Sequence, residues 1–102
     1  MPNIRTMQGL TPTIIVRETA VDLTEAAHLY PSIKQGSFVL RPESFEVSAN
    51  EVDIYLSQAD TLQLSPGSAE IQINWTYADG QRGAIYPKPI SIGANHLPEE
   101  LE

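Results

Sequence analysis

The chain has 102 residues, a formal charge of −7 and no Cys, which suits one domain and excludes disulfide scaffolds, thiol nucleophiles and cysteinyl zinc sites. Its 13 Asp and Glu against six Lys and Arg are unfavourable for binding a phosphate backbone, so we expect no nucleic-acid partner. No apolar run approaches the roughly 20 residues of a membrane-spanning helix, and the N-terminus lacks a signal-peptide core, so we expect no membrane partner.

Three segments are predicted along the chain. Residues 1–11 mix apolar and polar side chains without a period, and we expect a flexible leader whose order depends on a partner. Residues 12–93 are expected to form the folded domain. Residues 94–102 are expected to form an acidic C-terminal tail.

Short strands and one helical turn are predicted for the first half of the domain. The β-branched run Thr13–Arg17 has strand length, and Asp22 and Glu25 have the spacing of a capping box. Residues 28–35 are strand-like but contain Pro31, which lacks an N–H donor. We therefore expect this strand to be bulged or to lie at a sheet edge near Pro31.

Two segments alternate clearly between apolar and polar residues, which is typical of strands with one buried face. The first covers residues 51–56 and the second covers residues 69–77. Because the period is two, the apolar members of each segment share one face. The predicted structural core consists of Ile54, Leu56, Ile71, Ile73 and Trp75, with Trp75 as the anchor between the sheets.

Turn residues separate these strands. Ser57 and Asp60 have the spacing of a helix cap, which predicts one short helical turn. Pro66 and Gly67 are typical of a type II turn, and Asp79 and Gly80 are typical of a hairpin turn. The hairpin leads into a last strand over residues 82–92, which is interrupted by Pro87 and Pro89. The sequence therefore predicts an all-β fold, an immunoglobulin-like antiparallel β-sandwich of about seven strands with one or two single-turn helices.

No residue pattern indicates catalytic chemistry or a cofactor. His28 and His96 lack a partner at ligand spacing, and the chain contains no nucleophile elbow and no phosphate-binding glycine loop. We expect no catalytic, cofactor-binding or metal-binding residues. Tyr55 follows the polar phase of its strand and Tyr86 precedes Pro87, so both are candidate residues of a contact surface.

Three stretches of the sequence resemble a known family. Leu56–Leu62, Pro66–Trp75 and Asp79–Gly80 resemble short proteins encoded among virion genes of bacteriophages and prophages of Gram-positive bacteria. The chain is similar over residues 13–92 to the N-terminal immunoglobulin-like domain of phage baseplate upper proteins. The resemblance implies a structural or assembly role in a tail, baseplate or other virion part, and it supplies no catalytic or cofactor residues.

Two functions remain open at this point. The first is a non-enzymatic phage or prophage structural protein that contacts other virion or tail proteins, with a homo-oligomer left open. Such a protein is made in the bacterial cytoplasm and becomes virion-associated. The alternative is a carbohydrate- or receptor-binding module that uses its exposed tyrosines.

Overall fold

The computed structural model describes residues 4–102, which form two β-sheets, a five-residue α-helix and one 3-10 turn. The helix, α1, covers Gln58–Leu62, and the 3-10 turn covers Leu23–Glu25. The nine strands are β1 (Ile4–Met7), β2 (Thr13–Arg17), β3 (His28–Gln35), β4 (Phe38–Leu40), β5 (Phe45–Ser48), β6 (Glu51–Tyr55), β7 (Gly67–Thr76), β8 (Arg82–Ala84) and β9 (Lys88–Gly93).

The strand order is that of an immunoglobulin-like sandwich. The six-stranded sheet has the order β1-β9-β7-β3-β4, with β8 also pairing with β7, and the three-stranded sheet has the order β2-β6-β5. If β2 to β7 and then β9 are lettered B to G with an extra strand C′, the sheets read G-F-C-C′ and B-E-D, as in variable-type domains. The predicted all-β sandwich is confirmed. This agreement describes the fold and does not by itself define a function.

The core lies between the two sheets and is built by the alternating segments. Ile54, Leu56, Ile71, Ile73 and Trp75 are all buried, as predicted. They are joined by buried residues from β2, β3 and β9, because each of these strands also turns every second side chain inward. The buried apolar cluster continues through Ile14, Val16, Leu23, Ile33, Leu40, Val52, Leu64, Ala69, Ile85, Ile90 and Ile92.

The predicted cap at Ser57 is complete, whereas Asp22 caps the 3-10 turn by accepting from the Thr24 N–H rather than through a reciprocal bond with Glu25. Ser57 accepts a hydrogen bond from the Asp60 N–H at 3.1 Å, and the Asp60 carboxylate accepts one from the Ser57 N–H at 3.0 Å. These reciprocal bonds start α1 at Gln58. Gly67 and Gly80 have φ values of +131° and +89°, which side chains with a Cβ rarely adopt.

The N-terminal segment differs from the predicted flexible leader, of which residues 1–3 lie outside the described residues. Ile4–Met7 form β1, which pairs in parallel with β9, so the sandwich is not wholly antiparallel. Two side-chain hydrogen bonds hold residues 8–10, which follow β1, against the segment that contains α1. The Gln8 amide donates to the Leu64 carbonyl at 2.9 Å, and the buried Thr61 hydroxyl donates to the Leu10 carbonyl at 2.8 Å.

The structure has nine strands where about seven were predicted, because β1 forms in the predicted leader and because prolines divide the predicted last strand. The predicted last strand is split at Ile85–Pro87 into β8 and β9, which pair with opposite ends of β7. Pro31 in β3 keeps a continuous register with β7, opposite Ile73, so there is no bulge in this pairing. On its other side, β3 is covered by β4 only from Ile33 onward. The edge prediction for Pro31 is therefore confirmed, since a missing N–H costs no ladder bond at an open edge.

The C-terminal residues 94–102 contain no helix or strand, and they contact α1. The Gln58 amide nitrogen donates to the Leu101 carbonyl at 3.0 Å, and the Leu101 N–H donates to the Gln58 amide oxygen at 2.8 Å. One side chain therefore satisfies both backbone groups of Leu101, as a neighbouring strand would.

Candidate interaction surface

A groove of about 320 Å³ opens on the outward face of the six-stranded sheet, and we call it the basic groove. Side chains that point outward from β3 and β7 lie on either side of its floor, and two arginines lie at its margin. Its lining consists of Tyr30, Pro31, Ser32, Val39, Arg41, Asn74, Trp75, Thr76 and Arg82.

The groove follows from strand phase and from the short length of β4. Tyr30 and Ser32 on β3 alternate with buried residues and therefore point away from the core, as does Asn74 on β7. Because β4 ends at Leu40, the sheet has no strand beside the first half of β3. Arg41 follows β4 into this open space.

The second arginine is held by a neighbouring amide. Arg82 begins β8 directly opposite Thr76, and its guanidinium Nη2 donates to the Asn74 side-chain oxygen at 2.9 Å. A guanidinium has five donors, so this bond leaves others to meet a ligand. The hydrogen bond orients Arg82 across the sheet surface.

The buried ring of Trp75 packs beneath the floor of the groove. The Trp75 ring points inward, is 3% exposed and lies over Gly83, its cross-strand partner on β8. A Cβ at residue 83 would lie 2.4 Å from Trp75 Nε1, which is too close for any real contact. Gly83 is thus required for close packing of the indole. The buried Nε1 has no hydrogen-bond partner among the described residues.

The groove continues along β3 and β7 into two further depressions. The next has a volume of about 240 Å³, shares Ser32 and Val39 with the basic groove, and adds Lys34, Glu70, Gln72 and Pro87 to the lining. The last has about 330 Å³. It is lined by Lys34, Gly36, Ser68, Ala69 and Glu70. Together the three depressions form one trough along the outward sheet face.

Tyr86 projects beside this trough from a fixed piece of backbone. Its side chain is 93% exposed, whereas the preceding Ile85 is buried. The Ile85 N–H donates to the Ile73 carbonyl at 3.1 Å, and the Ile85 carbonyl accepts from the Gln72 amide at 2.8 Å. Pro87 restricts the backbone conformation of Tyr86, which precedes it. An exposed aromatic ring on restrained backbone suits a contact surface.

Tyr55 lies on the other sheet, in a different electrostatic setting. It is half-buried on the outward face of β6, where its neighbours include Glu46, Glu51 and Asp53. We call these three carboxylates and Tyr55 the acidic face. Burial, and then the negative charges of Glu46 and Asp53, raise the pKa of the Tyr55 hydroxyl.

Asp53 and Glu51, two carboxyl groups of the acidic face, shift each other's pKa in opposite directions. The Asp53 carboxyl beside Glu51 has a raised pKa because it hydrogen-bonds to the Glu51 carboxylate, and burial and the charges of Glu51 and Glu46 add to the effect. The Glu51 pKa is lowered by the same hydrogen bond and by Arg17, whose Nε lies 3.3 Å from Glu51 Oε1. Asp53 Oδ1 itself is buried without a hydrogen-bond partner in residues 4–102.

The two tyrosines predicted as a contact surface are therefore not brought together, since Tyr55 lies on β6 of the three-stranded sheet and Tyr86 lies in the connection between β8 and β9 of the other sheet. Sequence reasoning did not select Tyr30, Arg41 or Arg82. The alternation of β3 contained a signal for Tyr30, because it shares the phase of Ser32 and Lys34. The proximity of the two arginines depends on pairing between distant strands and has no local signal.

Residues 4–102 contain neither a metal-binding cluster nor a membrane-spanning helix. No group of three or more His, Asp or Glu side chains in this part of the chain is arranged to bind a metal ion. Within the same residues, no helix combines the length and the apolar character needed to cross a membrane. Comparison of the chain with protein-family models, with curated proteins and with solved structures gives no significant match.

Proposed function

We propose that the protein is a non-enzymatic structural or assembly component of a phage or prophage virion, in the tail, the baseplate or another part. It acts through contacts with other virion or tail proteins, and it is made in the bacterial cytoplasm before it joins the particle. The proposal rests on the resemblance carried by residues 13–92 and on the contact surface of the six-stranded sheet.

The observation that supports a protein contact most directly is the position of Tyr86. The side chain is 93% exposed, so it has almost no contact with its own chain. The backbone before it is fixed by two hydrogen bonds of Ile85, and Pro87 follows. Because little backbone entropy remains to be lost here, binding of a partner costs mainly the rotamer freedom of the ring.

The test is incorporation into particles. A tagged chain is produced during growth of a phage that encodes it, and the particles are separated on a density gradient. We expect the tagged chain to migrate with the particles, and Tyr86→Ala to reduce its amount there while the free protein remains folded. A chain that stays entirely in the soluble fractions contradicts the proposal.

A carbohydrate- or receptor-binding module is the second candidate, favoured by an exposed tyrosine beside a groove. Tyr30 is 49% exposed in the basic groove, together with the Asn74 amide and two arginines. Aromatic faces and amides of this kind bind sugars. Glycan-array binding that is lost in Tyr30→Ala and kept in Tyr55→Ala would favour this candidate, and an array with no binding counts against it.

A further inference from the structure

The trough on the six-stranded sheet concentrates positive charge in an acidic chain. Three of the six Lys and Arg residues line it, namely Lys34, Arg41 and Arg82, whereas Glu70 is its only carboxylate. The chain as a whole carries a charge of −7. The distribution is therefore uneven, and the positive part coincides with the concave part of the surface.

From this juxtaposition we propose that the trough binds an extended, acidic segment of a partner protein, with a carboxylate side chain placed between Arg41 and Arg82. The inference rests on the proposed function, because it specifies the surface and the partner chemistry of that protein contact.

The chemistry at the basic groove favours a carboxylate. Guanidinium groups present planar pairs of donors that match the two oxygens of a carboxylate, and such charge-assisted bonds are stronger than neutral ones. Arg82 is already oriented by Asn74, so less side-chain entropy is lost when a ligand binds. Surface charges are screened within roughly 8 Å at physiological salt, so the local arginines outweigh the distant acidic face.

The shape of the trough favours an extended segment. Its three depressions follow β3 from Tyr30 to Gly36, which corresponds to a length of roughly 20 Å at the rise of a β-strand. An extended peptide of about six residues spans this distance. Tyr30 and Val39, which are 49% and 47% exposed, provide apolar surface along the same path. Glu70 lies at the end away from the arginines, opposite Lys34, which places the acidic side chains of the ligand near Arg41 and Arg82.

Pro31 indicates that the ligand binds the face of the sheet and does not extend it at the β3 edge. The β3 edge beside the groove is open, but Pro31 cannot donate a backbone hydrogen bond there. Continuous strand addition at this edge is therefore disfavoured. The trough is therefore expected to bind the side chains of the ligand and not to pair with its backbone.

The experiment measures binding of a fluorescently labelled hexaglutamate peptide to the full chain by anisotropy, with hexaglutamine as the neutral comparison. We expect hexaglutamate to bind and hexaglutamine to bind at least about tenfold more weakly, since ionic hydrogen bonds are lost. Arg41→Gln and Arg82→Gln should each weaken hexaglutamate binding about tenfold. Arg17→Gln removes the same charge from the acidic face and should change binding less than about twofold.

Three results would overturn the inference. One is no hexaglutamate binding, and another is equal weakening in all three arginine variants, which indicates only a general charge effect. The third is tighter binding of an acidic oligosaccharide, such as a glucuronate oligomer, through the same arginines. Migration of the chain with virions in the particle experiment does not depend on these results, so the two proposals fail separately. Circular dichroism of each variant verifies that the sandwich remains folded.

Discussion

The outward faces of the two sheets differ in charge and in shape, although both are built from strands that alternate between core and solvent. The basic groove is concave, with Arg41 and Arg82 at its margin. The acidic face is crossed by β6, where Glu51 and Asp53 lie next to each other, and Arg17 provides one compensating cation. The difference shows that a net charge of −7 does not describe either face.

The two faces also differ in what lies beneath them. The basic groove lies over Trp75, which is packed tightly against Gly83 on the neighbouring strand. The acidic face lies over Val52 and Ile54, which are smaller and fully buried. We therefore expect the shape of the groove to depend on one aromatic contact, whereas the acidic face depends on charge spacing.

The largest expected effect comes from removing the indole beneath the groove. Trp75→Ala should reduce the free energy of unfolding by about 3–5 kcal/mol, because a large buried ring leaves a cavity. Urea unfolding followed by circular dichroism measures this loss. Ile54→Val in the other sheet should cost only about 0.5–1.5 kcal/mol and serves as the comparison. A loss below about 1 kcal/mol in Trp75→Ala contradicts its role as the anchor between the sheets.

A smaller effect is expected when a methyl group is added under the groove. Gly83→Ala places a Cβ where Trp75 Nε1 would lie at 2.4 Å, so the indole or β8 must shift. Overpacking of this kind costs about 1–3 kcal/mol. Gly93→Ala is the matched control, since its Cβ would lie 3.5 Å from the Thr6 carbonyl, an ordinary contact. Trp75 fluorescence should change in Gly83→Ala and stay constant in Gly93→Ala, and equal stability of the two variants would count against the packing argument.

The sequence predicted those features of the two sheets that depend only on residues close together in the chain. The period-two alternation of β6 and β7 identified the buried residues, including Ile54 and Trp75, because strand geometry sends alternate side chains to opposite faces. The caps at Ser57 and the turn at Gly80 were predicted for the same reason, since their hydrogen bonds and dihedral angles involve neighbouring residues.

Features that depend on distant pairing were not predicted. β1 has only four residues, and it is ordered by parallel pairing with β9 near the other end of the chain. Arg41 and Arg82 line the same groove because β3 pairs with both β4 and β7, and because β8 pairs with β7. The turn at Asp79 and Gly80 predicted the pairing of β7 with β8, but no local signal indicates the pairing of β1 with β9 or of β3 with β7. The charge on the acidic face was visible in the sequence, but the crowding of Glu46 against Asp53 requires the register of β5 with β6.

The smallest expected effect lies on the acidic face and tests whether charge crowding there is unfavourable. The Asp53 pKa is raised in the folded state, so its ionised form destabilises the fold. This penalty is complete at a pH above the raised value, and it is relieved as the pH falls through that value toward the ordinary Asp pKa of about 3.9. Asp53→Asn should therefore raise the urea midpoint at neutral pH and lose this advantage in acid. Asp22, whose pKa is lowered by hydrogen bonds from the Thr24 hydroxyl and N–H, provides a control of opposite sign. Asp22→Asn should lower the midpoint at neutral pH, and a similar decrease in Asp53→Asn would mean that the Asp53 carboxylate stabilises the sheet.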